Sequence, residues 1–177
     1  GVCITATCSD GVKNQDETDA DCGGSCDACG DGSGCAVAGD CGSLVCTAGV
    51  CITATCSDGV KNQDETDTDC GGSCDTCGDG SGCAVAADCG SLVCTAGVCI
   101  TATCNDGVKN QDETDADCGG SCDACGDGAG CAVAADCGSL VCTAGVCIAA
   151  TCTDGVKNQD ETDADCGGAS CDACGDG

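Results

Sequence analysis

The sequence contains no Phe, Tyr, Trp, Met, Pro or His among its 177 residues, and it has four Lys and no Arg. Aromatic side chains bury the largest apolar areas, so without them only small residues and Leu, Ile and Val remain to build a conventional hydrophobic core, which is out of reach. The scarcity of basic residues excludes nucleic acid as a partner, because phosphate binding needs a basic surface. Binding to an anionic membrane is excluded for the same reason. No apolar run is long enough to cross a bilayer, so no membrane insertion is expected, and neither a signal peptide nor a basic targeting run is visible. The sequence also lacks an initiator Met, and we read it as a stretch of a longer chain.

What is present in excess is cysteine, glycine and aspartate. The 29 Cys far exceed the roughly 8–10% that marks a disulfide scaffold, so disulfides are expected to replace the core. Disulfides persist outside the cell and are reduced in the cytosol, which makes a secreted or cell-surface setting the expectation. The 31 acids against four Lys give a net charge of −27. Such self-repulsion opposes compaction unless counter-ions sit among the carboxylates or covalent staples hold the chain.

The organising fact is a 48-residue repeat, in which Gly1-Val2-Cys3 recurs at Gly49-Val50-Cys51, Gly97-Val98-Cys99 and Gly145-Val146-Cys147. The copies span 1–48, 49–96, 97–144 and a partial fourth at 145–177. The first two differ only at Ala20 against Thr68, Ala28 against Thr76 and Gly39 against Ala87. The fourth carries one inserted residue, in Gly167-Gly168-Ala169-Ser170-Cys171 against Gly23-Gly24-Ser25-Cys26, so that loop tolerates a change in length. Arrays of this kind are elongated by default, each unit touching mainly its neighbours. The fold class expected is a set of small disulfide-rich tandem repeats in an elongated array. Short β-hairpins, irregular acidic loops, little helix and no conventional core complete that expectation.

Each full copy has eight Cys, at 3, 8, 22, 26, 29, 35, 41 and 46 in the first, and eight Cys allow 105 pairings. The run from Cys35 to Cys51 reads C-x5-C-x4-C-x4-C, with Leu44-Val45 and Val50-Cys51-Ile52 flanking Ala48-Gly49, and predicts a β-hairpin. Two stapled modules per period follow: an acidic module with Cys8, Cys22, Cys26 and Cys29, and a hairpin module with Cys35, Cys41, Cys46 and Cys51. Four acidic and three hairpin modules account for all the cysteines but Cys3, whose partner is expected upstream. Within modules we take an interlaced pairing as the expectation, Cys8 with Cys26, Cys22 with Cys29, Cys35 with Cys46 and Cys41 with Cys51.

The acidic loop between Cys8 and Cys22 reads Ser9-Asp10-Gly11-Val12-Lys13-Asn14-Gln15-Asp16-Glu17-Thr18-Asp19-Ala20-Asp21. Calcium takes six to eight hard oxygen ligands, and close-spaced Asp and Asn on a glycine-permitted turn can deliver them. The candidate ligands of the first copy are Asp10, Asn14, Asp16, Asp19 and Asp21, with Glu17 a further possibility. Their equivalents are Asp58, Asn62, Asp64, Asp67 and Asp69 in the second copy, and Asp106, Asn110, Asp112, Asp115 and Asp117 in the third. The fourth offers Asp154, Asn158, Asp160, Asp163 and Asp165. The spacing is not that of an EF-hand. The competing reading is a solvated acidic turn in which Asp16 or Thr18 caps a short helix over residues 19–22. Asp10 and its equivalents precede Gly, as turn residues do.

The pattern C-x-D-G-V-K-N-x-D-E-T-D-x-D-C-G-G-x-C resembles a cysteine-rich repeat of large secreted or surface proteins of myxobacteria and some microbial eukaryotes. All four copies carry it, the fourth with one residue inserted before its last Cys, in Asp10-Gly11-Val12-Lys13-Asn14, Glu17-Thr18-Asp19 and Asp21-Cys22-Gly23-Gly24 of the first. Asp40-Cys41-Gly42-Ser43 with Val45-Cys46 is similar to the segment that often follows it. The resemblance implies an extracellular adhesive or structural setting. This sequence departs from the pattern where Gln15 replaces a frequent Gly and where Pro is missing after the Cys26 position.

Near-identical copies argue against an enzyme, which needs one constellation of differing groups. Cys22-x3-Cys26-x2-Cys29 has the spacing of a thiolate-held iron–sulfur cluster, yet it recurs in every copy without the strand and helix pattern such enzymes require. A zinc or thiolate store would need reduced Cys. The leading expectation is a structural fibre or stalk that associates with itself into filaments, with calcium in its acidic loops. The alternative is a multivalent adhesin, weakened by the lack of aromatics to stack on sugars. Thr and Ser remain available for O-linked glycans, whereas no N-x-[ST] acceptor exists.

Overall fold

The structure, a computed structural model, describes residues 5–175. The chain divides into two compact units, Gly1–Gly90 with Cys94–Cys99, and Ser91–Val93 with Ile100–Gly177. Each is built of the same two kinds of module.

In the first unit, the hairpins pair β1 (Cys46–Thr47) with β2 (Val50–Cys51) and β3 (Cys94–Thr95) with β4 (Val98–Cys99). In the second, β5 (Cys142–Thr143) pairs with β6 (Val146–Cys147). The first hairpin sets Cys46 opposite Cys51 and Thr47 opposite Val50. Between them Ala48 and Gly49 have φ of 51° and 80°, the two left-handed residues of a type I′ turn, whose twist matches that of the strands. Ile52 N donates to Val45 O at 3.0 Å and extends the pairing toward the expected strand ends. Leu44 does not belong to a strand. Its φ is 59°, and its N–H closes a turn onto Cys41 O at 3.0 Å.

Among the described residues, helix is confined to three single 3-10 turns, Ala38–Asp40, Ala86–Asp88 and Ala134–Asp136. The short helix considered over residues 19–22 is a turn instead. Asp21 has φ 61°, outside helical conformation, and Asp19 and Cys22 bridge as in a minimal antiparallel pair.

The interlaced disulfides are all present. Cys8–Cys26, Cys22–Cys29, Cys35–Cys46 and Cys41–Cys51 recur in each complete copy, and Cys152–Cys171 and Cys166–Cys174 close the fourth acidic module. Cys3 lies outside the described residues. The inserted Ala169 lengthens the fourth loop to a separation of 19 from 18 and leaves its disulfide in place.

These bonds are also the core. Cys29, Cys41 and Cys51 are 0–1% exposed and pack with half-buried Cys22, Cys35 and Cys46, so three cystines stack where a larger domain would put Leu and Phe. Val45 is the aliphatic side chain that joins them in burial, whereas Val12, Leu44 and Ile52 stay exposed. Backbone bonds stitch the module around this stack: Cys29 N to Asp40 O at 2.6 Å, Gly42 N to Cys29 O at 2.9 Å and Cys51 N to Ser33 O at 2.8 Å. No helix among the described residues is long and apolar enough to cross a membrane.

Candidate functional site: the acidic loops

Each acidic loop is held by its own carboxylates. Asp10 accepts N–H groups from Thr7 at 3.1 Å and Val12 at 3.0 Å, and the Asn14 amide donates to both its oxygens at 2.9 and 3.1 Å. The Asn14 amide, followed by the Thr7 N–H, holds the Asp10 carboxyl below its ordinary pKa. Asp21 takes the N–H of Gly11, the residue after Asp10, on both oxygens at 2.8 and 3.0 Å. The structure therefore gathers Asp10, Asn14 and Asp21 around one turn. The equivalents repeat this, Asp58 with Asn62 and Asp69, Asp106 with Asn110 and Asp117, and Asp154 with Asn158 and Asp165.

Asp16 and Asp19 face elsewhere. Asp16 is exposed and receives the N–H and hydroxyl of Ser25 at 3.0 and 2.8 Å. Asp64 and Asp112 take the hydroxyls of Ser73 and Ser121 in the same way, while Asp160 takes the N–H of the inserted Ala169 at 2.6 Å. Asp19 accepts from Gly34 N at 2.7 Å and Ala20 N at 2.8 Å, in that order the main causes of its lowered pKa. Gly34 leads into the hairpin module, so Asp19 ties the two modules of a copy together. Asp67 and Asp115 do so through Gly82 and Gly130, and Asp163 bonds to Ala164 N. Lys13 Nζ donates to Thr18 O at 2.6 Å, placing the one basic side chain of the copy on the loop backbone.

A second clasp escaped sequence reasoning. Asp40 is 5% exposed and accepts three N–H groups, from Ala36 at 2.8 Å, Val37 at 3.0 Å and, across the module boundary, Gly24 at 3.0 Å. The Val37 N–H leads the causes that lower its pKa, followed by Ala36 and Gly24. Its only sequence signal is recurrence beside Cys41, as Asp88 and Asp136 recur beside Cys89 and Cys137. Glu17 is likewise buried, at 5% exposure, and receives the Asn14 N–H on Oε2 at 2.9 Å.

Two oxygens in each loop have no donor. The side-chain carbonyls of Asn14, Asn62, Asn110 and Asn158 are buried and unpartnered. Glu17 Oε1 lies 3.5 Å from Cys26 Sγ, but that sulfur is bonded to Cys8 and carries no hydrogen. Hard, anionic oxygen sets with orphaned acceptors suit a cation. By contrast, close sulfur groupings such as Cys35, Cys41 and Cys51, or Cys8 and Cys26 beside Glu17, consist of oxidised cysteines that are not thiolate ligands. An open groove of about 440 Å³ in the second unit is lined by Asp127, Gln159, Ala149 and neighbours. Asp127 is its one ionisable side chain, which is no acid–base pair.

Comparison with family models, curated proteins and solved structures returned no match to this chain.

Proposed function

We propose that the chain is a stretch of an extracellular structural fibre or stalk, fixed by disulfides and by calcium in its acidic loops, with no catalytic role. Recurrence carries this reading. Each complete copy repeats the same four disulfides, the same hairpin and the same Asp40-type clasp, so the array offers one surface over and over. Repetition suits a spacer or polymer, whereas catalysis needs a singular arrangement of groups. A cystine core of this kind suits an oxidising compartment, which supports the extracellular reading. Calcium would offset a net charge of −27, which otherwise opposes both compaction and the side-by-side approach of chains. Its partner is then a further copy of itself, and exposed threonines such as Thr47 offer positions for O-linked glycans.

Electron microscopy of the longer array in calcium tests the reading. Ordered filaments with a regular axial step of one repeat are expected. Isolated flexible chains under all calcium conditions would refute it.

A further inference from the structure

We propose that each repeat holds one calcium ion on an Asp, Asn and Glu oxygen set, Asp106, Asn110 and Glu113 in the third copy, rather than on the acidic loop as a whole. The proposal rests on the calcium part of the reading above and is independent of the fibre part.

The two orphaned oxygens belong to residues joined by a hydrogen bond. Asn110 is 8% exposed and Glu113 5%, and the Asn110 N–H donates to Glu113 Oε2 at 3.0 Å. The Asn110 amide nitrogen donates to both Asp106 oxygens, at 3.2 and 3.3 Å, and to Ser91 O at 3.1 Å. Three oxygens thus surround that nitrogen while the carbonyl of the same amide has no donor. Turning the amide over does not help, since it would set its carbonyl against the same three oxygens. Glu113 Oε1 faces Cys122 Sγ at 3.4 Å, a sulfur committed to Cys104 and without a hydrogen.

Buried carboxylates are paired or bound to metal in folded proteins. Lys109 is not the partner, for its Nζ is placed on Thr114 O at 2.7 Å. One divalent cation satisfies both oxygens and balances the two carboxylates of the set. Hard oxygens with flexible geometry favour calcium over magnesium.

The fourth copy repeats the arrangement and adds a location. Asn158 donates to Asp154 at 3.2 and 3.4 Å and to Ser139 O at 2.9 Å, its N–H bonds Glu161 Oε2 at 3.1 Å, and Glu161 Oε1 lies 3.3 Å from Cys171 Sγ. Ser139 belongs to the preceding hairpin module, so this ion would sit at the seam between one hairpin and the next acidic module. Calcium would then stiffen that seam.

The test is calcium titration of the oxidised chain by calorimetry, with Glu113→Gln and, as the comparison, Asp112→Asn on the exposed carboxylate bonded to Ser121. We expect Glu113→Gln to remove one binding equivalent or weaken it at least about tenfold, since ligand charge sets calcium affinity, and Asp112→Asn to leave the titration unchanged. Wild-type hydrogen exchange gives a readout that needs no variant: calcium should slow exchange at the Asn110 and Asn158 amides selectively. If Asp112→Asn abolishes an equivalent and Glu113→Gln does not, calcium in the loops stands and this site is overturned. If the wild-type chain binds no calcium at millimolar concentration, both fail, and the orphaned oxygens are met by water.

Discussion

Removing one disulfide from the second copy separates two accounts of what the bonds do. The outer staple, Cys56–Cys74, closes a separation of 18 residues, and the inner one, Cys89–Cys99, closes 10. In the chain-entropy model these contribute about 3.2 and about 2.7 kcal/mol, so loop closure alone makes the outer staple more valuable. Burial argues the other way. Cys89 and Cys99 are 0% and 1% exposed at the centre of a cystine stack, while Cys56 is exposed and Cys74 half-buried. Deleting each buried sulfur should cost about 1 kcal/mol more for the lost packing, as for a buried methyl group. We therefore expect Cys89→Ala with Cys99→Ala to destabilise the copy by about 5 kcal/mol, and Cys56→Ala with Cys74→Ala by about 3–4 kcal/mol. With no aromatic residue to report by fluorescence, the assay is guanidinium unfolding under non-reducing conditions, followed by pulsed hydrogen exchange and mass spectrometry. If the outer pair proves equal or dearer, the cystines act as chain constraints only and are not the core.

The remaining predictions address the carboxylates and the turns. Asp40, Asp88 and Asp136 titrate below their ordinary value, held down first by the N–H groups of Val37, Val85 and Val133, so their stabilisation is complete above the unfolded pKa and lost as pH falls through the lower folded one. Thermal midpoints should hold from neutrality to about pH 5 and decline below about pH 4, and a midpoint unchanged at pH 2 would contradict the clasp. Ala96→Asn puts the preferred Asn-Gly pair on a left-handed turn residue with φ 52° and should stabilise the second hairpin by about 0.5–1 kcal/mol, read as a raised midpoint. Gly72→Ala would drive a Cβ into the Asp64 carbonyl at φ 59° and cost about 2 kcal/mol or more, whereas Gly78→Ala meets nothing and should be neutral within about 0.5 kcal/mol. Oxidative refolding yield and protease resistance distinguish the two glycines.

Cysteine spacing made the fold legible. A disulfide closes only where two Cα atoms approach within about 7 Å, and a module with four cysteines around a two-residue turn has few ways to do that. The hairpin followed from Ala48-Gly49, and the copy boundaries from recurrence. Aspartate was less readable, because its role depends on which distant N–H reaches it. Asp16 and Asp19 sit three residues apart in the same loop, yet one bonds Ser25 and the other Gly34, and spacing alone assigns them alike. Asp40 lies outside the acidic loop and is more buried than either. Gln15 stands at φ 53°, a left-handed position where Gly carries no steric penalty and which the sequence did not mark.

Each copy thus solves the missing-core problem twice, with sulfur and with carboxylate. Cystines fill the centre of the hairpin module, where burial excludes water and the pairing is covalent. At the module boundary, where backbone N–H groups would otherwise lack partners, Asp19 and Asp40 accept them across the join. The sequence has no aromatic side chain to make a large apolar contact there, whereas a carboxylate reaches several donors from a short stem. That choice accumulates negative charge with every copy added, and the four lysines cannot neutralise it. The longer the array, the more negative charge it carries and the more counter-ions it needs to stay compact.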